Sequence, residues 1–436
     1  MTLADYRKYL NRFLLEYAEL NHLHPEQSER KYYCINPSHN DIVPSMVYYA
    51  EDEPHFYCHG CNHYFDIVDV YKYVTKKFKP NDEINIKEAL KEIANQLQKA
   101  GYNVKPFFDD KKIYAAAQDI YKYITRYPLK GPQKDFLKEK GIDPERARAE
   151  GVGMIHNYKN WMRFLYNLKQ KYGEDLIADA KFDNKLIFNT DTIIYTYFDA
   201  NHKPVAFAAR RLEGDPKYVN TGTTSIFQKK KMGYGIHKVI GQRTVYLVEG
   251  YNDALAFWVR GYYNILAVAS ASVSFELLQL LKNNGTERVV FTLDPDEAGL
   301  RGALESIRKY IPKIQLYATV KILPAHKDPD EILRDEGING FYKYKNLPAA
   351  AFILRMTGSI QQTLEFLITA PVKDLQATLE AISEEGTQMN LDLSPEKLKI
   401  NLMQKYLTKE IEKLNKTIGE AQTRMKQITS FLEKLL

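Results

Sequence analysis

VYLVEGYND at residues 245–253, VVFTLDPDEAG at 289–299 and LPAHKDPDEIL at 323–333 each set acidic side chains past an apolar run. In the first two the acids follow TVYLV and RVVFTL directly, and in the third a short loop intervenes. Runs of this kind, with no polar alternation, predict fully buried parallel strands. In an open α/β sheet the carboxyl ends of the strands line the ligand crevice. Glu249, Asp294, Asp296, Asp328 and Asp330 are therefore expected to converge on one rim. Five carboxylates packed together repel and raise one another's pKa unless a cation neutralises them. Oxygen donors at this density suit Mg²⁺ or Mn²⁺, with water and substrate phosphates completing the shell, and the chemistry implied is phosphoryl or nucleotidyl transfer. The plain alternative is helix capping, because Asp after a strand often satisfies free N–H groups at a helix start. Three such clusters at successive strand ends, each followed by a helix-forming segment, favour the metal.

The series EGYND, LDPDEAG and KDPDEIL resembles the TOPRIM module shared by bacterial primases, topoisomerases and some nucleases. The resemblance implies that Glu249 acts in acid–base or metal chemistry and that Asp294, Asp296, Asp328 and Asp330 hold Mg²⁺. Between the first two clusters, ILAVASASVS (265–274) stands where primases carry a more Thr- and Gly-rich turn, so Ser270 and Ser272 receive no role from the family. DPD replaces the more usual DGD, and Pro295 stiffens that loop.

Upstream, Cys34, His39, Cys58 and Cys61 read as C-x4-H, an eighteen-residue insert, then C-x2-C. Paired thiolate and imidazole spacings of this kind are what one tetrahedral structural Zn²⁺ needs. All three cysteines of the chain fall in this window, which argues against a disulfide framework and for a reducing, cytoplasmic setting. A redox CxxC would belong to a βαβ unit, whereas MVYYAEDEPHFYCHGC (46–61) reads as the hairpin of a zinc ribbon. His55, His59 and His63 are alternatives to His39, which is preferred because it forms a knuckle with Cys34. The segment resembles the Cys-His-Cys-Cys domain that opens bacterial and phage primases, with two residues more than the family's usual C-x2-H. Phe56 and Tyr57, beside the second knuckle, are candidates for template contact.

Residues 210–243 carry eight basic side chains against Glu213 and Asp215, a surplus of +6 that equals the net charge of the whole chain. A basic patch bordering an acidic metal site suits a polyanion whose backbone is held while one phosphate reacts. Lys229, Lys230 and Lys231 alone would read as a solvated face. The whole stretch AFAARRLEGDPKYVNTGTTSIFQKKKMGYG (206–235), however, resembles the RNA-polymerase basic motif of DnaG-type primases. By that resemblance Arg210 or Arg211, Lys217, Asn220 and Lys229 face template or nucleotide, with Tyr218 beside them and Lys230 where the family usually has Gly. DFLKEKGIDPERARAEGVGMI (135–155) resembles the segment opening the primase catalytic core.

Zinc module, basic motif and TOPRIM in that order imply a DnaG-like primase that makes short RNA primers from ribonucleoside triphosphates on single-stranded DNA. A TOPRIM nuclease or topoisomerase-like enzyme, and an idle single-strand-binding module that recruits a helicase, are the alternatives. The expected architecture is multidomain α/β. It comprises a zinc ribbon with flanking helices over 1–100, a linker at 101–112, a mixed α/β core with the basic motif over 113–240, a parallel-sheet TOPRIM subdomain over 241–345 and a helical domain over 346–436. NIKEALKEIANQLQKAG (85–101) ends on Gly101 as a C-terminal cap would. No apolar run is long enough to span a bilayer and the N-terminus reads as neither signal nor anchor, so no membrane partner is expected, and the reading is of a bacterial, phage or mobile-element protein in a bacterial cytoplasm. Ser394 and Pro395 read as N-cap and first residue of a helix. Beyond them Leu407, Ile411, Leu414, Ile418, Ala421, Met425, Ile428, Leu432 and Leu435 recur as a heptad seam, to be buried within the domain, on a second copy or on another protein. In primases the C-terminal region docks on the replicative helicase, which the resemblance carries over by position only.

Overall fold

The structure, a computed structural model, describes residues 3–26, 31–51, 53–75, 83–104, 110–270 and 272–433. The centre of the expected linker (105–109), Leu435 and the side chains of Ile418, Ala421, Met425, Ile428 and Leu432 lie outside the described residues. The chain divides into two compact units. The first comprises Met1–Ile120, Asn157–Phe188 and Asn220–Gln228, and the second Tyr121–His156, Asn189–Val219 and Lys229–Leu436.

In the first unit a four-stranded antiparallel sheet runs β1 (Lys31–Tyr32), β2 (Met46–Tyr49), β3 (His55–Cys58) and β4 (His63–Phe65) in spatial order. Side chains alternate across a strand. Phe56 and Cys58 therefore point into the core while His55 and Tyr57 face outward. Phe56 is fully buried, edge-on to Tyr32 and packed on Tyr48, so it is a core residue and not the template-contacting ring expected from its place beside the knuckle. Tyr57 keeps an outward position against Tyr64, and its hydroxyl donates to Asn62 Oδ1 at 3.1 Å. Tyr6, Leu10, Leu14 and Tyr17 of two N-terminal helices, Leu3–Leu10 and Leu14–Leu20, close one side of this core. Leu90, Ile93 and Leu97 of the helix Ile86–Lys99 also join it, and Gly101 follows that helix at φ +93°. Burying one such side chain contributes roughly 1.5–3 kcal/mol.

The second unit holds two sheets. β5 (Val152–Gly153), β6 (Thr192–Phe198), β7 (Pro204–Arg211) and β8 (Tyr218–Asn220) form one, with β6 and β7 a long antiparallel pair. The other contains β9 (Thr244–Val248), β10 (Ile265–Ala267), β11 (Arg288–Thr292), β12 (Tyr317–Lys321) and β13 (Asn346–Pro348) in the order β10-β9-β11-β12-β13. The first three pairings are parallel and β13 is an antiparallel edge, so the buried parallel strands expected from TVYLV and RVVFTL are present.

Helices then cover the C-terminal region: Ala349–Thr357, Ile360–Thr369, Leu375–Gln388 and Pro395–Glu433. The last starts as expected, with the Lys397 N–H donating to Ser394 Oγ at 3.2 Å. Phe352, Ile353, Leu379 and Leu398 join the same apolar cluster as Val245, Phe291 and Val320, so sheet and helices share one core. Among the described residues no helix is long and apolar enough to cross a membrane.

Candidate functional site

Glu249 follows the last residue of β9 directly and Asp294 lies two residues past β11. Val248 is paired with Thr292, so the parallel register brings these two chain ends side by side. Asp296 caps the helix Glu297–Ile314, its Oδ1 accepting the Gly299 N–H at 2.7 Å. Gly299 lets that turn close: a Cβ there would sit 2.3 Å from the Asp294 carbonyl oxygen. Asp328 is the N-cap of the helix Pro329–Lys343, and Asp330 lies in its first turn. Asp296 thus serves the capping role weighed from sequence, while at the Asp328 helix start the Asp328 N–H donates to Glu331 Oε2 at 3.3 Å.

The electrostatics report a shared space. Burial, and then Asp296 and Asp328, raise the Glu249 carboxyl above its usual range. Burial, and then Asp328, Glu249, Asp296 and Asp330, push Asp294 up to about 7. Asp328 is raised by burial and by Asp330. One oxygen of Glu249 and one of Asp294 are buried without a hydrogen-bond partner. Two orphaned carboxylate oxygens among mutually repelling acids are the kind of donor a hard divalent cation takes, although among the described residues no three of these acids are gathered as closely as the Cys-His-Cys-Cys cluster is.

Asp330 is placed differently. It is 2% exposed, and Lys140 Nζ lies 3.1 Å from its Oδ2. That oxygen has no well-aligned hydrogen bond, so the contact is an ion pair. Burial would lower the Lys140 pKa, but Asp330, Glu331 and Asp253 hold it above the usual value. Asp253, unassigned from sequence although it ends the first motif, accepts the Gly250 N–H at 3.0 Å and the Asp330 N–H at 3.2 Å. Its pKa lies well above the carboxylate range through burial and the neighbouring Asp330, Asp294 and Asp328.

The basic motif separates its two arginines. Arg210, at the end of β7, lies between the rings of Phe136 at 4.5 Å and Tyr218 at 5.3 Å, and its buried Nε has no partner. Arg211 is committed to the turn after β7, where Nη1 donates to the Asp215 carbonyl at 2.7 Å. Tyr218 accepts from Asn252 Nδ2 at 3.4 Å, next to Asp253, which links the motif to the rim. Lys217 is exposed and Lys229 half-buried; burial lowers the Lys229 pKa. Lys230 and Lys231 are exposed on a short turn, tied down where Ser274 Oγ donates to the Lys230 carbonyl. Ser270 Oγ donates to the Ser272 carbonyl at 2.7 Å. Asn220, the last residue of β8, is where the chain leaves the second unit for the first. Of the two, Arg210 presents an unsatisfied guanidinium N–H on a stacked, oriented plane; if the motif holds a polyanion, as the sequence leads one to expect, Arg210→Lys should weaken that binding by about tenfold and Arg211→Lys by much less. Equal losses in a fluorescence-anisotropy titration would refute that division.

In the first unit the donor atoms of Cys34, His39, Cys58 and Cys61 all lie within 4.8 Å of one another. Cys34 and Cys61 sulfurs are 3.7 Å apart, and tetrahedral Zn–S bonds of about 2.3 Å place sulfurs roughly 3.8 Å apart. His39 Nδ1 is 3.5 Å from Cys58 Sγ. The two additional knuckle residues are absorbed by a turn in which the His39 N–H donates to the Asn36 carbonyl. The other histidines are engaged elsewhere, His59 with Tyr49 and His55 with the Glu53 carbonyl.

Asp41, which the spacing did not single out, lies with Oδ1 3.3 Å from His39 Nε2 and accepts the Cys34 N–H at 2.8 Å. Burial alone would raise its pKa, but Ser45, the Cys34 and Ser45 N–H groups and His39 hold it below the usual range. A carboxylate on Nε2 fixes Nδ1 as the metal-facing atom. Gly60 leaves room for the ring, since a Cβ there would sit 2.4 Å from His39 Cε1. Asp41→Asn is expected to weaken zinc binding about 10–100-fold in a chelator competition. Unchanged affinity would assign Asp41 to loop structure alone.

The chain matches the DNA primase catalytic core, N-terminal domain, over residues 120–240 and a Toprim-like domain over residues 246–333. A DNA primase of Legionella pneumophila is 27% identical over 323 residues, which are 70% of this chain and 54% of that protein. The chain spans about half the length of the curated relatives it matches. Among solved structures, the zinc-binding and RNA polymerase domains of Aquifex aeolicus primase align over 91% of this chain and 98% of that one, with TM-score 0.50 and 20% identity. The RNA polymerase domain of Mycobacterium tuberculosis primase, in complex with a double-stranded DNA oligomer bearing a 6-nucleotide overhang, aligns over 64% of this chain and 98% of that one, with TM-score 0.52 and 18% identity. These likenesses carry the fold.

Proposed function

We propose that this chain is a DnaG-like primase, which joins ribonucleoside triphosphates into short RNA primers on single-stranded DNA. The observation that carries the reading is the rim itself, where carboxylate oxygens of Glu249 and Asp294 are buried without partners beside Asp296 and Asp328. Asp294, Asp296 and Asp328, with Asp330 behind them, would hold Mg²⁺ or Mn²⁺, which supplies charge neutralisation on the triphosphate and on the departing pyrophosphate. Glu249, its pKa raised, is suited to accept the proton of the attacking 3′-hydroxyl at its unpartnered Oε2. Arg210 offers a planar fork to a phosphate, and Lys217, Lys229, Lys230 and Lys231 add point charges along the strand. Tyr218 and Asn220 complete the nucleotide- and template-facing set.

The relative's DNA complex supports a nucleic-acid ligand for this core. One Zn²⁺ on Cys34, His39, Cys58 and Cys61 would stiffen the ribbon, whose outward Tyr57 and Tyr64 suit stacking on unpaired template bases. The five-segment division of the chain, a bacterial cytoplasmic setting and a helicase partner for the C-terminal helices belong to the same proposal. Incubation with mixed-sequence single-stranded DNA, Mg²⁺ and four labelled ribonucleoside triphosphates is expected to yield short RNAs on a denaturing gel. Shortened DNA in place of RNA would move the assignment to a nuclease, and no product even with a replicative helicase present would leave a binding module.

A further inference from the structure

The helix Pro395–Glu433 has two apolar faces with different fates. Near its start, one face docks on the chain's own helices: Leu398 is fully buried, Leu402 packs against the same core, and Lys405 Nζ pairs with Glu365 Oε1 at 3.0 Å. In heptad letters, with Ile411 at a and Leu407 and Leu414 at d, the docked residues 398, 402 and 405 occupy positions b and f. The a and d seam lies on the opposite side. There Ile400, Leu407, Ile411 and Leu414 are 56%, 56%, 57% and 60% exposed. The intramolecular bundle therefore does not cover the seam where it is described, and in sequence the seam continues through Ile418, Ala421, Met425, Ile428, Leu432 and Leu435.

We propose that this seam pairs with the same helix of a second copy of the chain in a parallel two-stranded coiled coil. Ile at a (411, 418) with Leu at d (407, 414) is the combination that favours two strands. The flanking positions fit self-pairing. In a parallel register Glu410 meets Asn415, Thr417 meets Gln422 and Arg424 meets Thr429 of the other copy, so no like charges oppose one another. The flanks also carry no block of one charge sign that would select an oppositely charged partner helix. In sequence the a and d pattern is sustained over four heptads, the length at which it argues for a coiled coil.

Sedimentation equilibrium of the whole chain is expected to give a dimer at concentrations on the order of 10 µM. The double variant Ile411→Glu/Leu414→Glu is expected to be a monomer with unchanged helix content, since both side chains are solvent-exposed in the single chain. A second readout fixes orientation. Leu414→Cys should cross-link to dimer under mild oxidation, whereas Lys416→Cys, facing outward at f, should not. A monomeric wild type, a double variant that remains dimeric, an assembly larger than two, or cross-linking at 416 in preference to 414 would each overturn the proposal. A wild type that stays monomeric yet binds a replicative helicase through this helix would do the same and give the seam to that partner.

Discussion

Asp294→Ala is expected to abolish primer synthesis, by at least about 10²–10³-fold, while single-stranded DNA binding measured by anisotropy changes little. The loss would be large because Asp294 faces Asp328, Glu249, Asp296 and Asp330 and has an orphaned buried oxygen. The cations proposed to hold phosphate, including Arg210, lie outside the acid set and should keep their affinity. If binding collapses while synthesis per bound complex is normal, Asp294 is a structural acid and its assigned role is lost.

The same residue sets a pH signature. In the folded state its pKa is raised to about 7, whereas the unfolded chain titrates near the ordinary aspartate value of about 3.9. The folded form therefore holds the proton more tightly. Stability from this group is fully present below about pH 4 and is lost as pH rises through about 7. Metal-free protein should melt at a lower temperature at about pH 8 than at about pH 5.5. Mg²⁺, which competes with that proton, should restore more of the melting temperature at the higher pH. Asp294→Asn should flatten both effects, and a Mg²⁺ increment independent of pH would contradict the assignment.

Stripping the Cys-His-Cys-Cys site is expected to unfold the ribbon, because structural zinc supplies roughly 10–16 kcal/mol in small zinc domains. Its sheet has only two to four residues in each strand. Cys58 is itself a core residue, so loss of the metal also removes the link that ties the core around Phe56 and Met46 to the other knuckle. Chelation, or Cys58→Ser, should erase hydrogen-exchange protection over residues 31–65 and leave the five-stranded sheet of the second unit protected, since that sheet has its own core. Primer initiation should fall with the ribbon, while residual extension of a supplied primer persists. Intact protection after complete zinc removal would show that packing alone holds the ribbon.

Much of this was legible in sequence, for identifiable reasons. Parallel strands announce themselves as unbroken apolar runs, and Glu249 and Asp294 sit where such runs end, with Asp328 a loop further on. The zinc donors were legible because knuckles are local. Phe56 and Tyr57 could not be told apart from composition, because hairpin register decides which of two adjacent aromatics turns inward. Arg210 and Arg211 are a similar case: strand alternation puts one between two rings and the other at the turn. Lys140 and Phe136 were invisible in their roles because their partners, Asp330 and Arg210, are far away in the chain. Asp41 is local but acts on His39 and not on the metal, and ligand-spacing rules do not score such residues. For the seam, sequence gave the stripe, while the docking of Leu398 on the other face decided that the stripe stays open.

The Lys140–Asp330 pair also bears on how such proteins can be cut and recombined. A fragment starting at residue 241 would look like a complete Toprim-like module, yet it would leave a carboxylate 2% exposed without its ion-pair partner. It would also strip the Gly141 carbonyl from Arg260 and the Tyr195 hydroxyl from Asn252. Orphaning one member of a buried pair costs roughly 3–5 kcal/mol, a large share of a domain's margin. Grafting this module onto another scaffold would therefore require the donor's helix-turn segment to travel with it, and exchange during evolution would carry both pieces or neither.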